Sequence, residues 1–185
     1  MKLLIVNSIL PSEPVNFPDV TLITDSSVVL PKNPLFVPTD ADEYILEAAP
    51  AFRISRLGKS ISQKFAYRYY DAFSLIIRVL PVFDEKPLRS GSAIFTAYDA
   101  AAVRGEWIEE IPQGDIEFSF AGKSFTTTIE NTKINEYISI LSHFFSMKMG
   151  DIVVPCSLPI STRAIPESRA VALIDGKEVI NIKIK

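Results

Sequence analysis

The chain has 185 residues, 48% of them apolar and 22% charged, enough for one domain with a hydrophobic core and too apolar for a disordered chain. A net charge of −3, with no long run of Lys or Arg, excludes the usual footprint of a nucleic-acid binder. No stretch approaches the roughly 20 apolar residues of a membrane span. Cys156 is the single cysteine, so no internal disulfide can form, and the apolar start MKLLIV breaks at Asn7 without a cleavage site for a secretory signal. One soluble, cytoplasmic domain over 1–185 is expected, with neither a nucleic-acid nor a membrane partner.

Strand signals dominate from the start. Residues 2–6 (KLLIV) read as a buried strand. Residues 8–19, with Pro11, Pro14 and Pro18, read as irregular loop. Short apolar runs at 20–24 and 27–30 flank Asp25 and Ser26, which predicts a hairpin or bend. Residues 44–55 predict a strand in which Pro50, lacking an N–H, belongs at an edge or bulge. Residues 60–70 suggest a short amphipathic helix capped by Ser60, with Ile61, Phe65 and Tyr69 on one face. Residues 72–80 form a strongly apolar strand stopped by Pro81, with Arg78 inside it, an odd place for a charge.

The second half is more regular. Alternation over 115–130 around Ala121-Gly122 predicts a hairpin. Residues 132–145 give the firmest helix, with Ile134, Ile138, Leu141 and Phe145 in one stripe and Thr132 as its cap. Gly150-Asp151 leads into the strand IVV, and a final hairpin turns at Asp175-Gly176. The fold class is therefore mostly β (α+β), a rolled sheet or incomplete barrel with one firm helix at about 132–145 and a short one at about 60–70.

Three segments, in order, resemble the fumarylacetoacetate hydrolase family: GKSISQKFAYRYYDA at 58–72, FFSMKMGDIVV at 144–154 and the closing hairpin with IDGKEV at 174–179. With GSAI at 91–94 the similarity covers most of the chain from Pro38 onward. The resemblance implies the rolled β domain of that family's C-terminal type, usually dimeric. It also implies a Mg²⁺, Mn²⁺ or Ca²⁺ ion in a carboxylate cluster, used to cleave carbon–carbon bonds or decarboxylate keto acids. Such chemistry needs oxygen ligands on a hard cation acting as Lewis acid.

Carried over residue by residue, the resemblance implies a depleted site. Of the three metal-ligand positions, the first falls on Glu47, the second on Ala49 and the third, an Asp in the family, on Arg78. The family's catalytic Lys position falls on Pro87, with Lys86 one step off. The loop and downstream His that follow the family's first strand are absent, the Thr-Gly-Thr-Pro loop reads PCSLP at 155–159, and the linker 81–90 is short.

Each sharp reading has a plain one beside it. Glu47 is a vestigial ligand or an ordinary polar residue on a half-buried strand. Arg78 takes the place of the ion and pairs with Glu47, or snorkels to an edge. Lys86 is a displaced base or a solvated lysine, and His143 suits the helix C-terminus. Cys156 is an inert thiol by default, Trp107 an interface anchor or a core or rim residue, and Asp40, Asp42 and Glu43 a cation site or a solvated loop. Three functions follow: an inactive homologue acting as a binding or partner subunit, in a homodimer or with an intact relative; a hydrolase or decarboxylase with a rebuilt site; and a metal-free binder of a small carboxylate on Arg78. No cofactor is expected under the first and third, and Mg²⁺ or Mn²⁺ under the second.

Overall fold

Period-two alternation of apolar residues builds most of the described chain, because successive strand side chains face opposite sides of a sheet. The computed structural model describes residues 1–10, 17–39, 41–83, 96–155 and 160–185. In chain order the elements are β1 (Lys2–Leu10), β2 (Phe17–Thr24), β3 (Val28–Val29), β4 (Glu43–Ile54), β5 (Tyr70–Val82), β6 (Ala102–Arg104), β7 (Asp115–Phe120), β8 (Lys123–Thr128), the helix α1 (Ile134–Phe144), β9 (Ile152–Val154), β10 (Ser161–Arg163), β11 (Arg169–Ile174) and β12 (Lys177–Lys183). An eight-stranded, curled sheet runs β2-β1-β9-β4-β5-β6-β3, with β10 also on β4, and a four-stranded sheet runs β12-β11-β7-β8. The expected mostly-β architecture is the observed one.

Alternation sorts the large sheet into two faces. Leu4, Val6, Leu46, Ala48, Phe52, Phe73, Leu75, Ile77 and Val103 point one way, into a core shared with Phe118 and Phe120 of β7, Ile180 of β12 and Ile134, Ile138 and Leu141 of α1. Leu3, Ile5, Ala49, Ala51, Ile76, Ala102, Ile152 and Val154 point the other way, into a smaller cluster that Tyr98 and Trp107 flank. Both hairpin turns of the small sheet place two residues at positive φ, Ala121 (51°) with Gly122 (74°) and Asp175 (48°) with Gly176 (74°), the twist that a two-residue hairpin loop requires.

Several local expectations change. Residues 8–10 and 17–19 are strand, because β1 and β2 pair antiparallel from Lys2↔Thr24 to Leu10↔Phe17. The runs at 20–24 and 27–30 form no hairpin: a 3-10 turn at Asp25–Ser27 sends the chain to the far edge, where β3 pairs parallel with β6. Pro50 sits inside the sheet, opposite Leu75. Ala48 donates its N–H outward to the Ile160 carbonyl (3.3 Å), so the nitrogen of Pro50, two residues on, faces the same side. That side is the break between β10, paired with residues 45–47, and β9, paired with 52–53, where no ladder bond goes missing. Nor does Pro81 end its strand; it pairs with Tyr44 beyond the reach of β6.

The helices also shift. Segment 60–70 is helical only as a 3-10 turn, Gln63–Arg68. Three residues per turn put Ala66, not Phe65, in line with Tyr69; Ala66 is buried and Phe65 exposed. Ser60, at φ 50°, caps nothing and donates its backbone N–H to the Ser142 carbonyl. Thr132 does not cap α1: its hydroxyl donates to the Ile129 carbonyl at 2.6 Å, and Lys133, at φ 57°, is the residue before the helix. Lys86, Pro87, Cys156, Asp40 and the GSAI segment at 91–94 lie outside the described residues.

Candidate functional site

The second face of the large sheet carries its charges in register. On β4 the alternating set Glu47, Ala49, Ala51, Arg53 stands opposite Arg78, Ile76, Ser74, Ala72 of β5. Beyond β5 the same rows continue onto β6, where Ala102 faces Arg78 and Arg104 faces Ile76. Diagonal neighbours in such a ladder are about 7–8 Å apart, within reach of long side chains. Glu47, Ala49 and Arg78 therefore meet on two adjacent rows of one face, although 29 and more residues separate Arg78 from the other two in the chain.

Arg78 is the buried member. Its side chain is 13% exposed, and that of Glu47 30%. Nη1 of Arg78 lies 3.6 Å from Oε2 of Glu47, an ion pair too long for a hydrogen bond. Nε of Arg78 is buried and has no hydrogen-bond partner among the described residues. Burial lowers the guanidinium pKa and the Glu47 carboxylate opposes that shift; the group remains a cation at neutral pH, as arginine does in proteins. Beside it, Tyr98 donates its hydroxyl to the Val79 carbonyl at 2.6 Å, and burial, then Tyr44, raises its pKa.

One end of the face holds a second group of charges. Arg53 Nε donates to Asp71 Oδ1 at 2.8 Å and its Nη2 lies 3.4 Å from Glu109 Oε1. The hydrogen bond that Arg53 donates to Asp71 raises the Arg53 pKa, partly offset by burial. Trp107 receives two guanidinium groups over its ring, Arg104 at 5.0 Å and Arg53 at 5.6 Å from the centroid. Trp107 is half-buried. The sequence reading passed over Arg53 and Arg104. Parity was the available signal, because Arg53 is six residues from Glu47 on one strand and so shares its face.

Oxygen donors do not converge here. A hard divalent ion takes six or more oxygen ligands, and the three positions offer one carboxylate, the methyl of buried Ala49 and a cation 3.6 Å from that carboxylate. Among the described residues no group of three or more His, Cys, Asp and Glu side chains is placed to hold a metal. The described residues at these three positions do not by themselves fit a divalent metal centre. Glu43 is instead paired with Arg163 at 2.9 Å, and the backbone N–H of Asp42 bonds the Val82 carbonyl. His143 is exposed on α1, which packs against the opposite, larger core. A cavity of about 580 Å³, lined by Leu46, Phe120, Thr162, Arg163 and Ile184 among others, contains none of the site residues. What the face can do is hold an anion: Arg78 has donors that Glu47 leaves unengaged, and Arg104 stands a row away.

No family model matches the sequence, and no curated protein does. Solved structures match along the whole chain. Fumarylpyruvate hydrolase from Pseudomonas aeruginosa, solved with Mn²⁺ and pyruvate, superposes with a TM-score of 0.77 at 18% identity, over 100% of this chain and 89% of that one. A protein from Yersinia pestis placed in the fumarylacetoacetate hydrolase family gives 0.76 at 19% identity, over 100% and 92%. A 5-carboxymethyl-2-hydroxymuconate delta-isomerase from Mycobacterium smegmatis gives 0.76 at 15%, over 99% and 76%. The chain has the fumarylacetoacetate hydrolase fold, which serves both hydrolases and isomerases.

Proposed function

We propose that this chain is a degenerate fumarylacetoacetate hydrolase-like protein in which Arg78, tethered and paired with Glu47, stands where relatives place a divalent ion. On this reading it does not hydrolyse a keto acid. It acts in the cytoplasm as a binding or partner subunit, in a homodimer or beside an intact relative. The observation that carries the reading is the ion pair itself, Arg78 Nη1 to Glu47 Oε2 at 3.6 Å on directly opposed residues of β4 and β5. Removing the ion without replacing its charge would leave a buried carboxylate position uncompensated, and a cation on the neighbouring strand compensates it. No metal-assisted step is open to this donor set, and Lys86 is the weak remaining candidate for a base.

The rebuilt hydrolase is the weaker alternative, because it needs carboxylates that the face does not bring together. A binder of a small carboxylate is favoured by one further observation, the unpartnered buried Nε of Arg78, which can complete a bidentate contact with a planar anion.

The test is thermal unfolding with and without millimolar Mg²⁺ or Mn²⁺, for the natural chain and for Ala49→Glu/Arg78→Asp, which restores the three carboxylates. A ligand at 100 times its dissociation constant adds about 2.7 kcal/mol, a shift of a few degrees. The natural chain should not shift and the double variant should. A metal-dependent shift in the natural chain, followed by turnover of a keto acid, would overturn the proposal.

A further inference from the structure

Two stretches far apart in the chain, 56–68 and 143–149, meet at one end of the molecule. Gly58 and Met147 exchange backbone hydrogen bonds of 3.0 and 2.8 Å. Ser60 donates its N–H to the Ser142 carbonyl (2.9 Å), and Ile61 donates its N–H to Ser142 Oγ (2.7 Å). Glycine is needed at 58, since a Cβ there would lie 2.5 Å from the Tyr69 ring. The seam brings out a surface of apolar and cationic side chains. Leu57 is 74% exposed and Met149 76%, and Phe65, Tyr67 and Phe144 are exposed as well. Among them stand Arg56, Lys59, Lys64, Arg68 and Lys148, all exposed. Neither stretch contains an Asp or Glu, in a chain whose net charge is −3. None of the five cations has an ion-pair partner among the described residues.

We propose that this end of the molecule docks on an anionic membrane surface, with Leu57 and Met149 entering the headgroup layer while the five cations meet acidic lipids. Protruding aliphatic side chains ringed by cations combine the two attractions that hold a protein on such a surface, and neither suffices alone. Stacked nucleobases fit less well. The Phe65 and Tyr67 rings already carry the Arg68 guanidinium, at 5.1 and 5.4 Å, and Lys64 lies 5.7 Å from the Phe65 centroid, so their faces are not open platforms. A second copy of the chain on a two-fold axis would set these cations against their own image. The expectation against a membrane partner rested on spanning length, which this docking does not need.

Flotation of the full chain with vesicles of phosphatidylcholine, with and without phosphatidylserine, tests the proposal. Binding should appear only with phosphatidylserine and weaken as salt rises. At about fivefold per basic residue, Lys64→Gln/Arg68→Gln should bind about 30-fold more weakly. Leu57→Ser/Met149→Ser should lose at least about tenfold. Lys123→Gln/Lys177→Gln, an equal charge loss on the hairpin turns of the small sheet, should bind as the natural chain does, and unchanged unfolding midpoints would show that all variants fold. Absence of binding to phosphatidylserine vesicles, equal binding to neutral ones, or equal loss in the hairpin variant would each overturn it. So would tighter binding of a single-stranded oligonucleotide or of polyglutamate than of the vesicles.

Discussion

The same five central strands make two unlike faces. Toward the small sheet and α1 the large sheet presents Leu46, Phe52, Phe73, Leu75, Ile77 and Val79, buried throughout with no charge among them. Toward the other side Leu3, Ile5, Ile76, Ile152 and Val154 are buried among smaller side chains, Ala49, Ala51 and Ala102, and the charges of Glu47, Arg78, Arg53 and Arg104 stand on the same face. The first face has volume to fill and fills it with branched and aromatic side chains. The second sets small side chains and ion pairs among its apolar ones, and buried ion pairs contribute little to net stability. Uncharged core and charge are thus divided by the pleat of the strands, one residue apart along the chain.

The contrast can be tested by mutation. Phe52→Ala on the large core should have the greatest effect, about 3–5 kcal/mol in urea unfolding, because it opens a cavity where Phe73 and Tyr70 now pack. A loss below about 1 kcal/mol would mean the two faces share stability evenly. Glu47→Ala on the second face should cost less, about 1–3 kcal/mol, because it strands a mostly buried guanidinium that part of the solvent still reaches. Adding Arg78→Met to Glu47→Ala should restore stability to within about 1 kcal/mol of the natural chain. Failure to restore would mean that Arg78 is held by more than Glu47.

The smallest effect concerns pH. The Tyr98 pKa is raised in the fold above the ordinary 10.0 by burial. A raised pKa gives stability that is fully present below the unfolded value and is lost as pH rises through the folded one. The contribution of Tyr98 to stability should therefore be level below about pH 10 and fall above it. Tyr98→Phe should lose about 1 kcal/mol at neutral pH with the hydrogen bond to Val79, and its alkaline decline should be shallower. Urea unfolding on either side of pH 10 measures both.

Much of this was legible in the residues. Period-two alternation placed β7, β8 and β12, strand-like apolar segments placed β4 and β5, and the stripe of Ile134, Ile138 and Leu141 placed α1. Local hydrogen bonding was less legible. Ser60 and Thr132 are good caps in isolation, yet a backbone bond to Ser142 and a turn at Ile129 claim them. Pairing partners were not legible: nothing local tells β3 to leave β2 and join β6. Nor could one segment show that buried Asp151 ties down the start of β1, accepting from the Lys2 and Lys148 N–H groups and pairing with the Lys2 ammonium.

What the sequence by itself determined was which side chains face together along one strand, because a strand has only two sides and parity is a local property. Strand and helix patterns supplied the fold class, and the resemblance alone implied the three positions Glu47, Ala49 and Arg78. Which strands neighbour one another was decided only by the tertiary structure, because pairing is settled by burial summed over the whole sheet. That choice set Arg78 opposite Glu47 and Arg104 a row from Arg78, and brought the cations of 56–68 against the apolar end of α1.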